Sequence, residues 1–491
     1  MHLRVLPLLA LGLLLLTCQS TPRPSGPPDV VRLKASLDAL AADPVFAESW
    51  LGFQLTEVAT GKPILSYNGG KAFAMASVMK LYSTAFALQV LGPDYTFKTP
   101  LHYTGTLTDT VLYGDLVVVG TGDPTFGTER WTEALPYAKV IEGYVGALKA
   151  HGIRRIVGRV RVDDTRYSAN PTPTGWVWGD IGNYYGAPCY SLNVLDNQYK
   201  LRFLPTEVGD TAWVLGTDPD VRELHFRDAM HTGKAGSGDN GYIDGSPYDT
   251  LRFLSGTVPD GNEFTIRGAL PYPPLFFARR LAEALALSDI LCTQAPTTSF
   301  LDRTPPLPSQ PFPQAPVIAS PNLETLARLT NWWSVNLFAE GLLRAAAFKR
   351  DSAHTHAEAI ASLQAHLKSQ SIGTQGLRLG DGSGLSRMAQ ATPQNVVGLL
   401  VALHKSTVFP AYWGSLGVAG KDGIVRSSRL AGGNELRMKS GYFSGAASFA
   451  GYVKTTDGGL YAFCLVTNGC TRPYSTVRAK LETVLGVLSG A

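Results

Sequence analysis

Several common signals are missing from this chain of 491 residues, and each absence removes a class of function. There is no run of five like charges and no basic stripe interleaved with aromatic residues, and 43 basic against 39 acidic side chains leave a net charge of +4. Nucleic acid is therefore a poor candidate partner. Past the N-terminus no apolar run approaches the ~18 residues of a membrane span, so no spanning helix is expected. No G-x-S-x-G occurs, which leaves a nucleophile-elbow esterase without its anchor. Cysteine is scarce, at five residues. Outside the N-terminal segment, Cys189, Cys292, Cys464 and Cys470 allow one or two disulfides whose pairing the sequence does not fix. Cys464, inside LYAFCLVTN, reads instead as a small apolar strand residue.

What is present is globular, with 45% apolar and 17% charged residues, and the length predicts two or three domains. The N-terminus has the basic start, short apolar core and Pro/Ser/Gly-rich tether of a secretory signal. Its LLTC resembles a lipobox that would make Cys18 an acylated first residue, although Thr17 departs from the usual Gly, Ala or Ser. Alternation around TGKP predicts a hairpin in residues 49–73, and Ser77 to Leu91 predicts a helix buried on nearly all sides. Short β-rich runs around one helix follow, then strand-and-turn sequence, then a helix from Pro273 to Ile290. The Pro-rich linker DRTPPLPSQPFPQAPV marks the clearest domain boundary. Beyond it lie helices, three strands (NELRMKSGYF, AASFAGYVKT and LYAFCLVTN) and a closing amphipathic helix.

Chemistry is suggested by three short motifs, each weak alone. In MASVMK, Ser77 and Lys80 lie three apart on one helix face, where an amine can reach a hydroxyl. Serine needs a base, and lysine serves as one when burial or a nearby cation lowers its pKa. Ser334 and Asn336, in WWSVNLF, fit an ordinary turn into a helix. Lys439, Ser440 and Gly441, in RMKSGYF, fit a strand whose glycine admits a close neighbour. Two rival signals carry little. GSGDNG has no buried parallel strand before it and no helix after it, and HTHAE reads as a solvated pair, His354 and Glu358, rather than a metal site.

Together, in order and on the expected elements, Ser-x-x-Lys, Ser-x-Asn and Lys-Ser-Gly form the signature of penicillin-recognising serine acyl transferases. Runs such as GDLVVVGTGDPTFG, YYGAPCYSLNVLDNQ and LGDGSGLSRMAQATP extend the likeness over nearly the whole mature chain. The chain resembles the D-alanyl-D-alanine carboxypeptidase/endopeptidases of the low-molecular-mass class C penicillin-binding proteins, peptidase type S13. Val335 stands where that family often has Asp, and Ser440 where it often has Thr.

The resemblance implies an α+β fold: a penicillin-binding, transpeptidase-like (β-lactamase-like) domain with a five-stranded antiparallel sheet flanked by helices, carrying two smaller inserted domains. The implied division is signal 1–18, tether 19–28, catalytic domain 29–95 plus 316–491, inserted domain II 96–175 plus 260–315, and β-rich inserted domain III 176–259. Ser77 would be the nucleophile and Lys80 its base, with Ser334 relaying the proton and Asn336 holding peptide and lysine. Lys439 would lower the Lys80 pKa and attract the substrate carboxylate, Ser440 would hydrogen-bond that carboxylate with Gly441 and Tyr442 next to it in the substrate-binding strand, and the N–H groups of Ser77 and Tyr442 would form the oxyanion hole. The implied partners are peptidoglycan stem peptides and β-lactam inhibitors, at a periplasmic site with a lipid anchor through Cys18; no metal and no cofactor is implied. No glutamate occurs in SQSIGTQGLRLGD, the region where efficient β-lactamases place one, so penicillin is expected to stay attached. A β-lactamase or esterase on the same scaffold, and a non-catalytic cell-wall binding protein, are the alternatives.

Overall fold

The central sheet is assembled from both ends of the chain. The hairpin Trp50–Glu57 and Pro63–Tyr67 lies beside the three C-terminal strands, giving the order Pro63–Tyr67, Trp50–Glu57, Leu460–Asn468, Ala446–Lys454, Glu435–Phe443, Gly417–Val418, all antiparallel. This computed structural model describes residues 27–168, 170–303 and 308–490, so the signal segment, Cys18 and part of the Pro-rich linker lie outside the described residues. Five strands were expected; the sixth, Gly417–Val418, is a two-residue edge piece too short to show an alternating pattern.

Because strand side chains alternate, the sheet serves two cores. Phe449, Val453, Phe463 and Leu465 pack with the helices Val30–Ala42 and Tyr474–Ser489 on one face. Ala450, Tyr452, Ala462, Cys464 and Val466 meet the other core, whose centre is the helix Lys80–Leu91. Every residue from Lys80 to Leu88 is buried there, as the all-round apolar pattern predicts. The helix has a different start, however: Ala76–Met79 is a 3₁₀ turn, with Ala76 at φ 46°, and the α-helix proper begins at Lys80. Around it stand Leu323–Trp333, Asn336–Asp351, His356–Ser369 and Pro393–His404. The first two are separate helices because Ser334, at φ 58°, ends one and Val335 opens the next.

Between residues 98 and 319 the chain forms other sheets. A five-stranded and a four-stranded sheet hold the short strands of 101–163 and 291–311. The helices Tyr137–His151 and Pro273–Ala286 share an apolar core with them. Two three-stranded sheets hold 198–269. Phe264–Ala269 hydrogen-bonds along Gln198–Leu204, so the β-rich pairing continues past residue 259. Within the Pro-rich linker, Gln310–Pro311 pairs with Tyr103 and His102 at a sheet edge, where a proline's missing N–H costs no ladder bond.

Cys189, Cys292, Cys464 and Cys470 are all free thiols, and Cys464 is buried in its strand. In HTHAE, His354 and Glu358 are both exposed, as the solvated pair predicts, with Glu358 also closing a capping box on Thr355, while His356 begins the helix that follows. Among the described residues no helix is long and apolar enough to cross a membrane.

Candidate active site

The three motifs converge on one cavity of about 380 Å³, lined among others by Ser77, Ser334, Asn336, Ser440 and Tyr442. Lys80 lies behind it with no solvent exposure. Its Nζ is 2.8 Å from Ser77 Oγ, 2.5 Å from Asn336 Oδ1 and 2.8 Å from the Ser383 carbonyl. The orientation of the Asn336 amide is fixed, because its Nδ2 donates to the Tyr185 carbonyl at 2.7 Å and so turns Oδ1 toward the lysine.

These partners determine what the amine can do. Two of them, an amide oxygen and a backbone carbonyl, can only accept. A neutral amine has two N–H groups and one lone pair, so the fixed acceptors take both N–H groups and the lone pair is left facing Ser77 Oγ. Burial lowers the Lys80 pKa from 10.5 to about 7, against the raising effects of Asp381 and Glu340. Burial dominates this shift and the two carboxylates oppose it. The expected repulsion between the two lysines is mutual, and burial first and the charge of Lys80 second push the Lys439 pKa well below the ordinary value.

Lys439 occupies the strand face opposite Leu436 and Met438, which enter the other core. Its Nζ donates to Ser334 Oγ at 3.0 Å and to the Ser440 carbonyl. Gly441 is required by contact: a Cβ there would stand 2.5 Å from the Met75 carbonyl oxygen and 2.9 Å from Ser77 N. The strand thus lies directly against the 3₁₀ turn that carries Ser77, an approach also held by Ser448 Oγ donating to the Met75 carbonyl at 2.7 Å. The short strand Gly417–Val418 pairs only with Met438 and Arg437. On that side Ala419 N donates to the Leu436 carbonyl at 2.9 Å, so by strand periodicity the backbone groups of Ser440 and Tyr442 face the same edge, toward the cavity. The Tyr442 ring stacks on Tyr474 at 4.1 Å between centroids. Val335 is buried in the core, where an apolar side chain fits.

Part of the site was invisible in the motifs. Glu340 lies one helical turn after Asn336, fully buried, and both its oxygens accept the Gly382 N–H, at 3.0 and 3.1 Å. Burial first and Asp381 second raise its pKa to about 8. Asp381 accepts Ser383 Oγ at 3.0 Å, the N–H groups of Gly384 and Ser386 at 2.8 Å, and Trp176 Nε1 at 2.7 Å. Two buried carboxylates therefore hold the turn whose Ser383 carbonyl orients Lys80. Glu340 does not line the cavity. The segment 167–193 supplies backbone as well as Trp176: Tyr185 O receives Asn336, and Cys189 O receives Arg344 at 3.2 Å. A signal for Glu340 was available, because Asn336, Glu340 and Arg344 recur every four residues on an otherwise apolar helix.

The profile of the D-Ala-D-Ala carboxypeptidase 3 (S13) family matches residues 33–485. A D-alanyl-D-alanine carboxypeptidase of Actinomadura sp. (strain R39) is 28% identical over 467 residues, covering 90% of this chain and 82% of the relative. The D-alanyl-D-alanine carboxypeptidase DacB of Haemophilus influenzae is 25% identical over 443 residues, 87% of this chain and 86% of its own length. The crystal structure of penicillin binding protein 4 (dacB) from Haemophilus influenzae superposes with a TM-score of 0.76 at 21% identity, covering 94% of this chain and 98% of that one.

Proposed function

Because the chain belongs to the D-Ala-D-Ala carboxypeptidase 3 (S13) family and is a serine-type D-Ala-D-Ala carboxypeptidase, we propose that Ser77 carries its acyl transfer. Ser77 Oγ attacks the carbonyl between the two D-alanines of a peptidoglycan stem peptide while Lys80 takes the hydroxyl proton. The oxyanion forms against the N–H groups of Ser77 and Tyr442, which are fixed dipoles that need no reorganisation. Collapse breaks the peptide bond, and the departing amine takes its proton through Ser334. Water then attacks the acyl-enzyme with Lys80 again as base. Ser440 receives the terminal carboxylate, beside Lys439. An arriving carboxylate favours the charged form of Lys439, so substrate and proton bind together.

The observation that carries this reading is the arrangement around Lys80, whose Nζ meets two fixed acceptors and lies 2.8 Å from Ser77 Oγ. A β-lactam presents a similar carbonyl and carboxylate, so penicillin acylates Ser77. Its release is slow, because residues 369–381 contain no glutamate and both Glu340 oxygens are occupied by Gly382 N. Mass spectrometry of muropeptides digested by wild type and Ser77→Ala identifies the bond cut and its dependence on the nucleophile. Unchanged cleavage by Ser77→Ala refutes the mechanism, and rapid turnover of a chromogenic cephalosporin makes the enzyme a β-lactamase.

The same reading puts the enzyme at the cell wall, outside the cytoplasmic membrane, with Cys18 acylated; the mass of the mature N-terminus tests that anchor. It also divides the chain into a catalytic domain, 29–95 plus 316–491, and two inserted domains. The pairing of Phe264–Ala269 with Gln198–Leu204 favours a boundary between these two nearer residue 270 than 259.

A further inference from the structure

One charged residue on the cavity wall has no part in this chemistry. Of the described residues lining the catalytic cavity, Arg130 alone is charged, since Lys80 and Lys439 lie behind the serines. It belongs to the loop GTERW, and its position is built rather than incidental. Thr128 Oγ1 accepts the Arg130 backbone N–H at 3.2 Å and donates to Asp196 Oδ2 at 2.7 Å. Trp131 packs its ring on Trp333 and Phe338, at 6.3 and 6.1 Å between centroids, which anchors the loop on the two helices that carry Ser334 and Asn336. The guanidinium rests 4.9 Å above the Trp131 ring and makes no ion pair among the described residues.

Arg130 and Gln198 also line an adjoining cavity of about 300 Å³, into which Arg267 faces. Arg267 lies 3.9 Å above the Tyr184 ring, donates to Gln198 Oε1 at 3.4 Å, and likewise has no carboxylate partner among the described residues. The other charges of that cavity are Lys200, paired with Asp218 at 2.8 Å, Glu129, and Asp196, tied to Thr128. Arg130 is exposed on the cavity wall, with its charge attracted by Asp196 and repelled by Arg267, so its guanidinium is open to meet an anion from solvent.

We propose that Arg130, flanked by Arg267, is an anion subsite that binds an ionised carboxylate within the stem peptide, upstream of the scissile D-alanyl bond. The identity of the ligand rests on the peptidase reading. Besides the terminal carboxylate at Ser440, a stem peptide carries free carboxylates on its glutamyl residue and on an acidic diamino acid, and a guanidinium fork matches either. Arg130 comes from the inserted segment and Ser440 from the sheet edge, so the two sites recognise anions on different walls and select for the distance between them.

The test uses three D-Ala-D-Ala peptides: one with both internal carboxylates free, one amidated at the glutamyl carboxyl and one amidated at the diamino acid. KM is measured on the active enzyme, and Kd on a Ser77→Ala background. Wild type prefers the free peptide over one amidated form by about tenfold, the loss of one charged hydrogen bond in the cleft; which form identifies the carboxylate. Arg130→Gln abolishes that preference and Arg130→Lys keeps part of it. An unchanged preference in Arg130→Gln, or no preference in wild type, overturns the proposal. If no peptide is hydrolysed while binding to the Ser77→Ala protein still discriminates through Arg130, the peptidase reading falls and the subsite stands.

Discussion

Raising the pH from 5 to 9 should switch on acylation with a midpoint near Lys80's own pKa, about 7. An ordinary lysine, at 10.5, would be neutral in only about one molecule in three thousand at pH 7, whereas at about 7 half of the molecules carry the free amine. The gain in competent enzyme at neutral pH is therefore about three orders of magnitude, and its main source is burial of the Nζ group. The sign is fixed: the base must be unprotonated, so the rate rises tenfold per pH unit below the midpoint. The second-order rate of Ser77 labelling by a fluorescent penicillin, followed by stopped flow, measures this limb directly. Glu340→Gln provides an internal control. Glu340, at about 8, is mostly protonated at pH 7, so a neutral amide in its place leaves the midpoint within about half a unit. A flat profile across this range, or a midpoint above about 9, would refute Lys80 as the base.

Glu340→Ala leaves the buried Gly382 N–H without an acceptor, at a cost of about 1–3 kcal/mol, and lets the Ser383 carbonyl drift, so denaturant melts and labelling rates should both fall where Glu340→Gln spares them. Trp176→Phe removes a charge-assisted bond to Asp381 and should slow labelling without touching the cavity wall; an unchanged rate would show that the 167–193 segment is not needed to hold the turn. Gly441→Ala forces a methyl to within 2.5 Å of the Met75 carbonyl and should reduce labelling at least about a hundredfold, through displacement of the Ser77 turn by an ångström or so. In Lys80→Met the pH dependence of stability should flatten. Between pH about 7 and 10.5 the unfolded lysine binds a proton that the native one does not, so wild-type stability rises with pH across that window, by up to about 5 kcal/mol from this group, and equal slopes in the two proteins would contradict the burial argument.

The parts of this site that were legible in the sequence are those whose chemistry acts at short spacing. Ser77 and Lys80 are one helical turn apart, Ser334 and Asn336 flank a helix break, and Lys439 to Tyr442 are consecutive in a strand, so local pattern and function coincide. The sheet was legible for the same reason, since Ala446–Lys454 and Leu460–Asn468 have a core on each face and so read as near-continuous apolar runs of strand length. Its two-residue edge strand had no alternation to read. The support of the base was hidden by a different cause. Lys80 is oriented by a backbone carbonyl 303 positions away and by an amide that is itself oriented by a carbonyl 151 positions away, and carbonyls leave no trace in residue identity. Glu340, Asp381 and Trp176 leave a trace only as polar residues in surroundings that ought to exclude them. Of the two causes expected to lower the Lys80 pKa, removal from water is the larger, and the two carboxylates that hold the turn pull it back up. Those carboxylates explain how a buried amine stays both placed and poised. Their hydrogen bonds fix the acceptors around Nζ, and the charge of Asp381 draws its pKa back toward neutrality, where a base can take a proton from Ser77 and still return it to a leaving amine.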